Sequence, residues 1–133
     1  MSTAAALTDA VLAALRADPD LVADLSGRIW ETAPRDPAFP HLVLDEVTCR
    51  DRSGLDADLE EARFALKIFA RDGGRAQAAA IAERVEAILL AAALAPDGFR
   101  LVLLRRDASE SRLARDRRTA ETTVRFVALI EPV

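Results

Sequence analysis

Few residues in this sequence are equipped for chemistry. It holds one His (His41), one Lys (Lys67), one Cys (Cys49), one Trp (Trp30) and no Tyr. General acid–base and nucleophilic catalysis draw heavily on His, Lys, Tyr and Cys, so a catalytic reading starts short of parts. His41, after Pro40, could ligate a metal or act as a base, but no second His or Cys stands with it. Its plain reading is a strand-edge histidine. Cys49 shares one expected strand with that His, and reads as a buried or half-buried structural thiol. A lone cysteine also excludes an internal disulfide and a cysteine-based zinc site.

Two further segments imitate binding motifs. Asp56-Ala57-Asp58-Leu59-Glu60 alternates acids as a calcium loop does, yet the Gly at the sixth and the Glu at the twelfth position of an EF-hand are missing. Gly73-Gly74 before a helix is half of a phosphate loop. No third Gly and no Lys-Ser/Thr follow, which leaves a strand-to-helix turn needing positive φ. The sequence therefore implies no cofactor and no metal.

Charge is the stronger signal. From Arg105 to Arg118, six arginines (Arg105, Arg106, Arg112, Arg115, Arg117, Arg118) face Asp107, Glu110 and Asp116, a local net of +3. From Asp51 to Glu61, Asp51, Asp56, Asp58, Glu60 and Glu61 face only Arg52, a net of −4. Either block alone is usually a solvated loop. Two blocks of opposite sign in one chain suit head-to-tail contact between copies, which closes into a ring when the rotation per copy allows.

These blocks must be held by regular elements. Ala4–Arg16 reads as a helix on Leu7, Val11, Leu12 and Leu15. Asp18-Pro19 opens a short second helix through Leu25, stopped by Gly27. Arg28–Thr32 reads as a short strand. Three prolines within Ala33–Pro40 make an extended connector. His41–Arg50 is a strand, and Asp51–Glu61 an acidic loop. From Ala62 to Arg71 the alternation is clean: Ala62, Phe64, Leu66, Ile68 and Ala70 share one face. Asp72-Gly73-Gly74 then opens the longest helix, Arg75–Ala93, with Ile81, Val85, Ile88, Leu89 and Ala92 as its stripe and Asp72 near its positive end. A strand from Phe99 to Leu104, the Arg-rich stretch as hairpin tip, and a last strand over Thr119–Glu131 complete the chain.

The order α, α, β, β, β, α, β, β predicts an α+β fold. One mainly antiparallel sheet of four to five strands packs against one long helix, with N-terminal helices beside it. A parallel pairing across the long helix, between third and fourth strands, fits the connection. A length of 133 residues predicts a single domain, 1–133. The longest apolar run, Ile88–Ala95, is too short to span a bilayer. Met1-Ser2-Thr3-Ala4 carries no basic signal region, which predicts a cytoplasmic protein. A net charge of −4 speaks against generic nucleic-acid binding.

The ordered motifs Gly27-Arg28-Ile29-Trp30, Ala33-Pro34, Phe39-Pro40-His41-Leu42-Val43-Leu44-Asp45-Glu46, Asp51-Arg52-Ser53 and Phe69-Ala70-Arg71-Asp72-Gly73-Gly74-Arg75-Ala76, with Ile81-Ala82, Val85 and Ile88-Leu89, resemble a known family. It is the tail terminator, or tail completion, proteins of long-tailed phages, closest to members in alphaproteobacterial prophages and gene transfer agents. The pattern departs at His41, where Tyr is expected, at Leu44-Asp45-Glu46 and at Phe69-Ala70. The resemblance implies a structural virion protein without catalysis: a ring of six on the head-proximal end of the tail tube. That ring stops tube polymerisation and offers a surface to the head-side connector or stopper. It implies partners in other copies of the chain and in the tail tube protein, DNA only in transit, and no membrane. The implied place is the head–tail junction of the particle, after assembly in the bacterial cytoplasm. In that setting the six arginines face the tube or the neighbouring subunit, and the five acids face a ring neighbour. The rivals are another joining protein (a stopper, expected to be mostly β, or an adaptor) and a cytoplasmic binding module with an Arg-ringed anion pocket.

Overall fold

The structure is a computed structural model and describes residues 2–133. Its element order is the expected one: helices α1 (Thr3–Arg16) and α2 (Pro19–Leu25), strands β1 (Ile29–Trp30), β2 (His41–Asp51) and β3 (Glu60–Arg71), helix α3 (Arg75–Ala91), then β4 (Phe99–Leu113) and β5 (Thr119–Pro132). The Asp18-Pro19 start acts as read, with Asp18 capping α2 by accepting from the Leu21 amide; Ser2 caps α1 by accepting from the Ala5 amide. Ser26 and Gly27 end α2 with positive φ.

The five strands form one mixed sheet in the order β1-β2-β3-β5-β4. β3 is its centre, because its alternation buries a full face: Ala62, Phe64, Leu66, Ile68 and Ala70 all lie in the core. Their β5 partners Ala128, Phe126, Val124, Thr122 and Ala120 are buried as well. Phe64 and Phe126 stack across this pair with centroids 5.3 Å apart. The helices cover that face. Leu7, Val11 and Leu15 of α1, Leu21 and Leu25 of α2, and Ile81, Val85 and Leu89 of α3 complete one cluster. Burial of each large aliphatic side chain contributes about 1.5–3 kcal/mol. The cover is thus shared by three helices, because α1 lies over β2 where α3 cannot reach.

Five expectations are corrected. The parallel pair is β1–β2 (Ile29↔Leu42, Trp30↔Val43), not the third and fourth strands. β3 and β4 are separated by β5, which pairs antiparallel with both. The Arg-rich stretch is not all hairpin tip, since β4 runs on to Leu113 and only residues 114–118 turn. Likewise Asp51 closes β2, and Glu60 and Glu61 open β3, so the acidic loop is residues 52–59. Cys49 is exposed rather than buried. A bulge between Asp45 and Thr48, with Glu46 at φ 51°, shifts the register just before it. His41 is buried in the interior of the sheet, not at its edge, because both β1 and β3 flank the start of β2.

The β3–α3 junction is tight. Gly73 has φ 82°, as the turn requires. Gly74 is needed for space instead: a Cβ there would lie 2.5 Å from Ala70 Cβ. Asp72 leaves the helix end and meets Arg118, so α3 starts without a side-chain cap.

Candidate assembly interface

The helices cover one face of the sheet; its other face and its two ends carry the charge. Glu60 pairs with Ile130 at one end of β3, and Arg71 with Thr119 at the other. Eleven residue steps, roughly 36 Å at strand rise, therefore separate loop 52–59 from turn 114–118. The molecule has an acidic end and an arginine end.

At the arginine end, Arg118 approaches Asp72 at 3.2 Å, which raises its pKa. Arg115 and Arg117 are exposed, and neither has a carboxylate partner among the described residues. Asp116 organises the turn by accepting from the Arg118 and Thr119 amides, both at 2.9 Å, and from the Thr119 hydroxyl at 2.8 Å. Those bonds push its pKa down to about 2.

The other three arginines lie on β4. Arg105 meets Asp107 at 3.4 Å and Arg112 meets Glu121 at 2.8 Å, both on the uncovered face. Arg106 points to the helix side and approaches Glu86 of α3 at 3.5 Å. The sequence block thus divides between a strand and a turn.

At the acidic end, hydrogen bonding from Ser53, its side chain first and then its amide at 2.8 Å, lowers the Asp51 pKa. Asp56 and Asp58 are exposed and have no cationic partner among the described residues. Glu60 is half-buried, and its Oε2 has no hydrogen-bond partner among the described residues. Glu61 is held by Arg52 at 2.9 Å and Arg63 at 3.0 Å, and its pKa is lowered, chiefly by the Arg52 hydrogen bond.

Among the described residues, no group of three His, Cys, Asp or Glu side chains could hold a metal ion, and no helix is long and apolar enough to cross a membrane.

A family model described as tail completion protein gp17 matches residues 9–131. The chain belongs to the tail completion protein gp17 family. A chain in the solved virion of a native gene transfer agent (GTA) particle is similar: 26% identical, with a TM-score of 0.88 over 98% of this chain and 99% of that one. No curated protein matches in sequence. The family resemblance read from the ordered motifs therefore holds.

Two features of this family member go beyond the charge blocks read from sequence. The uncovered face is laced by ion pairs: Lys67 with Asp45 at 3.2 Å and Glu121 at 3.6 Å, and Arg125 with Glu110 at 3.0 Å and Glu46 at 3.7 Å. Period-two alternation of charge along β3 and β5 is the signal that could have shown it. The second is an aromatic cluster at the arginine end. His41 stacks on Phe69 at 4.9 Å and touches Phe39 at 4.8 Å and Trp30 at 5.5 Å. The Arg71 guanidinium lies 4.1 Å over the Phe39 ring, and Arg28 donates to the Pro40 and Phe39 carbonyls. The proline-rich connector is thereby pinned over the uncovered face. Burial is the main cause that lowers the His41 pKa, which keeps the ring neutral.

Proposed function

We propose that this chain is a structural, non-enzymatic virion protein that completes a phage-type tail. Copies of the chain, each a single domain over residues 1–133, form a ring of six on the head-proximal end of the tail tube. The ring stops tube polymerisation and offers the surface on which the head joins. It assembles in the bacterial cytoplasm, stays at the head–tail junction, and lets DNA pass through. The observation that carries this reading is the near end-to-end likeness to a chain of a gene transfer agent virion.

The charge layout supports a head-to-tail contact, because the basic strand β4 is one border of the sheet and the acidic β2–β3 loop lies on the other side of β5. Arg105, Arg106 and Arg112 face the neighbour. Arg115, Arg117 and Arg118, on the turn, face the tube. Asp51, Asp56, Asp58, Glu60 and Glu61 face the neighbouring copy. Contact between unlike patches repeats around a ring without a like-charge clash.

Deletion of the gene from a producing strain, followed by electron microscopy of lysates, tests the role. Filled heads beside unjoined, overlong tails are the expected outcome. Normal-length free tails beside filled heads would instead indicate a stopper or adaptor, and intact particles would overturn the phage reading. Charge reversal tests the contact. Arg105→Glu with Arg106→Glu weakens ring formation, and adding Asp56→Arg with Asp58→Arg partly restores it.

A further inference from the structure

The two borders of the sheet are both unfinished. β4 is an outermost strand of 15 residues and has no strand beyond it. At the opposite border β1 covers only Leu42 and Val43, which leaves β2 open from Leu44 to Asp51. Each border presents unpaired amide and carbonyl groups, the usual template for strand addition. We infer that neighbouring copies join by main-chain pairing, the free edge of β4 adding to the open stretch of β2 in the next copy. This inference rests on the ring reading above and specifies its contact.

Charge selects this pairing over its rivals. β4 carries Arg100, Arg105, Arg106 and Arg112 against Asp107 and Glu110, a net of +2. The open stretch of β2 carries Asp45, Glu46 and Asp51 against Arg50, a net of −2. Two β4 edges, or two β2 edges, would place like charges across the new ladder, which is destabilising, whereas β4 on β2 places unlike charges there. Shape agrees. Val102, Leu103 and Leu113 of β4 stand 50%, 47% and 46% exposed. Beside the open stretch of β2 lies a cleft of about 460 Å³, lined in part by Ala4, Thr8, Leu44 and Val47, with room for side chains of an added strand.

Direction agrees as well. β2 and β4 run oppositely within one copy, through β3 and β5. Rotation about an axis along the strands preserves that relation, so β4 meets the next β2 antiparallel, the better-bonded arrangement. Such a ring carries its arginine turns on one axial face, as the tube contact requires. Bulges at Leu101–Leu103 and Arg106–Ala108 of β4, and at Asp45–Thr48 of β2, interrupt both edges. They break the regular ladder pattern and so disfavour addition of a long regular strand to either edge.

Cys49 lies in the open stretch of β2 and is the chain's own reporter, because no second cysteine competes. Single cysteines placed at Val102, Leu103, Arg105 and Ser111 are oxidised in the assembled protein, with Gln77→Cys on the exposed side of α3 as control. One or two of the positions between Phe99 and Arg106 should link to Cys49 at least about tenfold faster than the control, since paired strands bring Cβ atoms within disulfide reach. The products should be a ladder of linked copies that Cys49→Ser abolishes. Amide exchange on the unaltered chain gives a second readout, with alternate amides between Phe99 and Arg106 slowing about a hundredfold on ring formation. Rings that form without a preferred β4–Cys49 link, and without this slowing, overturn the strand pairing but leave the ring reading standing. Absence of any ring, in solution or on tail tubes, overturns the ring reading and the pairing with it.

Discussion

The two ends of the sheet carry opposite charge and are built to opposite degrees. At the arginine end the turn is tied from both sides. Asp116 closes it with three hydrogen bonds, the Asp72 amide donates to the Arg118 carbonyl at 3.0 Å, and Arg118 returns to Asp72. Beneath it lie the Gly74 contact and the ring stack on His41. At the acidic end, loop 52–59 is held mainly by bonds within itself: Arg52 amide to Leu59 carbonyl at 2.7 Å, Gly54 amide to Ala57 carbonyl at 2.9 Å and Leu59 amide to the Ser53 hydroxyl at 3.1 Å. The side chain of Leu55 is fully in solvent, and Asp56 and Asp58 pair with nothing among the described residues. A pre-organised cationic end loses little freedom on binding a fixed surface, whereas a loosely held acidic loop can adjust to what meets it.

Four measurements break or sharpen this contrast. The largest effect belongs to Gly74→Val. With backbone and Cβ of Ala70 in the way, it should cost about 3 kcal/mol, read as a lower urea midpoint at unchanged slope. Phe39→Ala removes a ring from His41 and the surface under Arg71. About 1–2 kcal/mol of stability should go, and amides of the connector 33–40 should exchange faster while those of loop 52–59 stay as they were.

Acid should act on the arginine end in two separate windows. The His41 pKa is lowered in the fold, so the unfolded chain binds the proton more readily. Stability is then full above the ordinary value of 6.5 and falls below it, by no more than about 1.4 kcal/mol per pH unit. His41→Phe should flatten that window in urea titrations at pH 5 and 7.5. Asp116, ordinarily at 3.8 and here at about 2, contributes above 3.8 and loses its contribution between those values. Asp116→Asn should remove only this second window. The smallest effect on stability is expected at the acidic end. Asp56→Asn with Asp58→Asn should leave the thermal midpoint nearly unchanged, within about 0.5 kcal/mol, while weakening self-association measured by light scattering at low salt.

What was legible in the sequence divides along the same lines. Elements with one buried face announced themselves: the alternation from Ala62 to Ala70, the stripe of α3 and the Asp18-Pro19 helix start all stand where periodicity and capping place them. The upper half of β4 did not, because a strand exposed on both faces and at its edge has no burial rhythm to record. The parallel β1–β2 ladder depends on a two-residue strand and a connector of prolines, and no local pattern specifies such a partner. Burial of His41 comes from the adjacent Phe39 together with Trp30 and Phe69, which are distant in sequence, and exposure of Cys49 from one bulge. For the assembly interface, sequence yielded the charges but not their division among strand, turn and loop.

The position of β5 also bears on how the chain is made. β5 follows β4 in sequence yet lies between β3 and β4 in the sheet. A ribosome therefore releases β3 and β4 before the strand that joins them exists, and each waits with an unsatisfied border. A nascent chain interrupted before Thr119 has neither the closed core of Val124, Phe126, Ala128 and Ile130 nor a β4 held in place. Unfinished products of translation would thus lack both the closed core and the β4 border of the sheet.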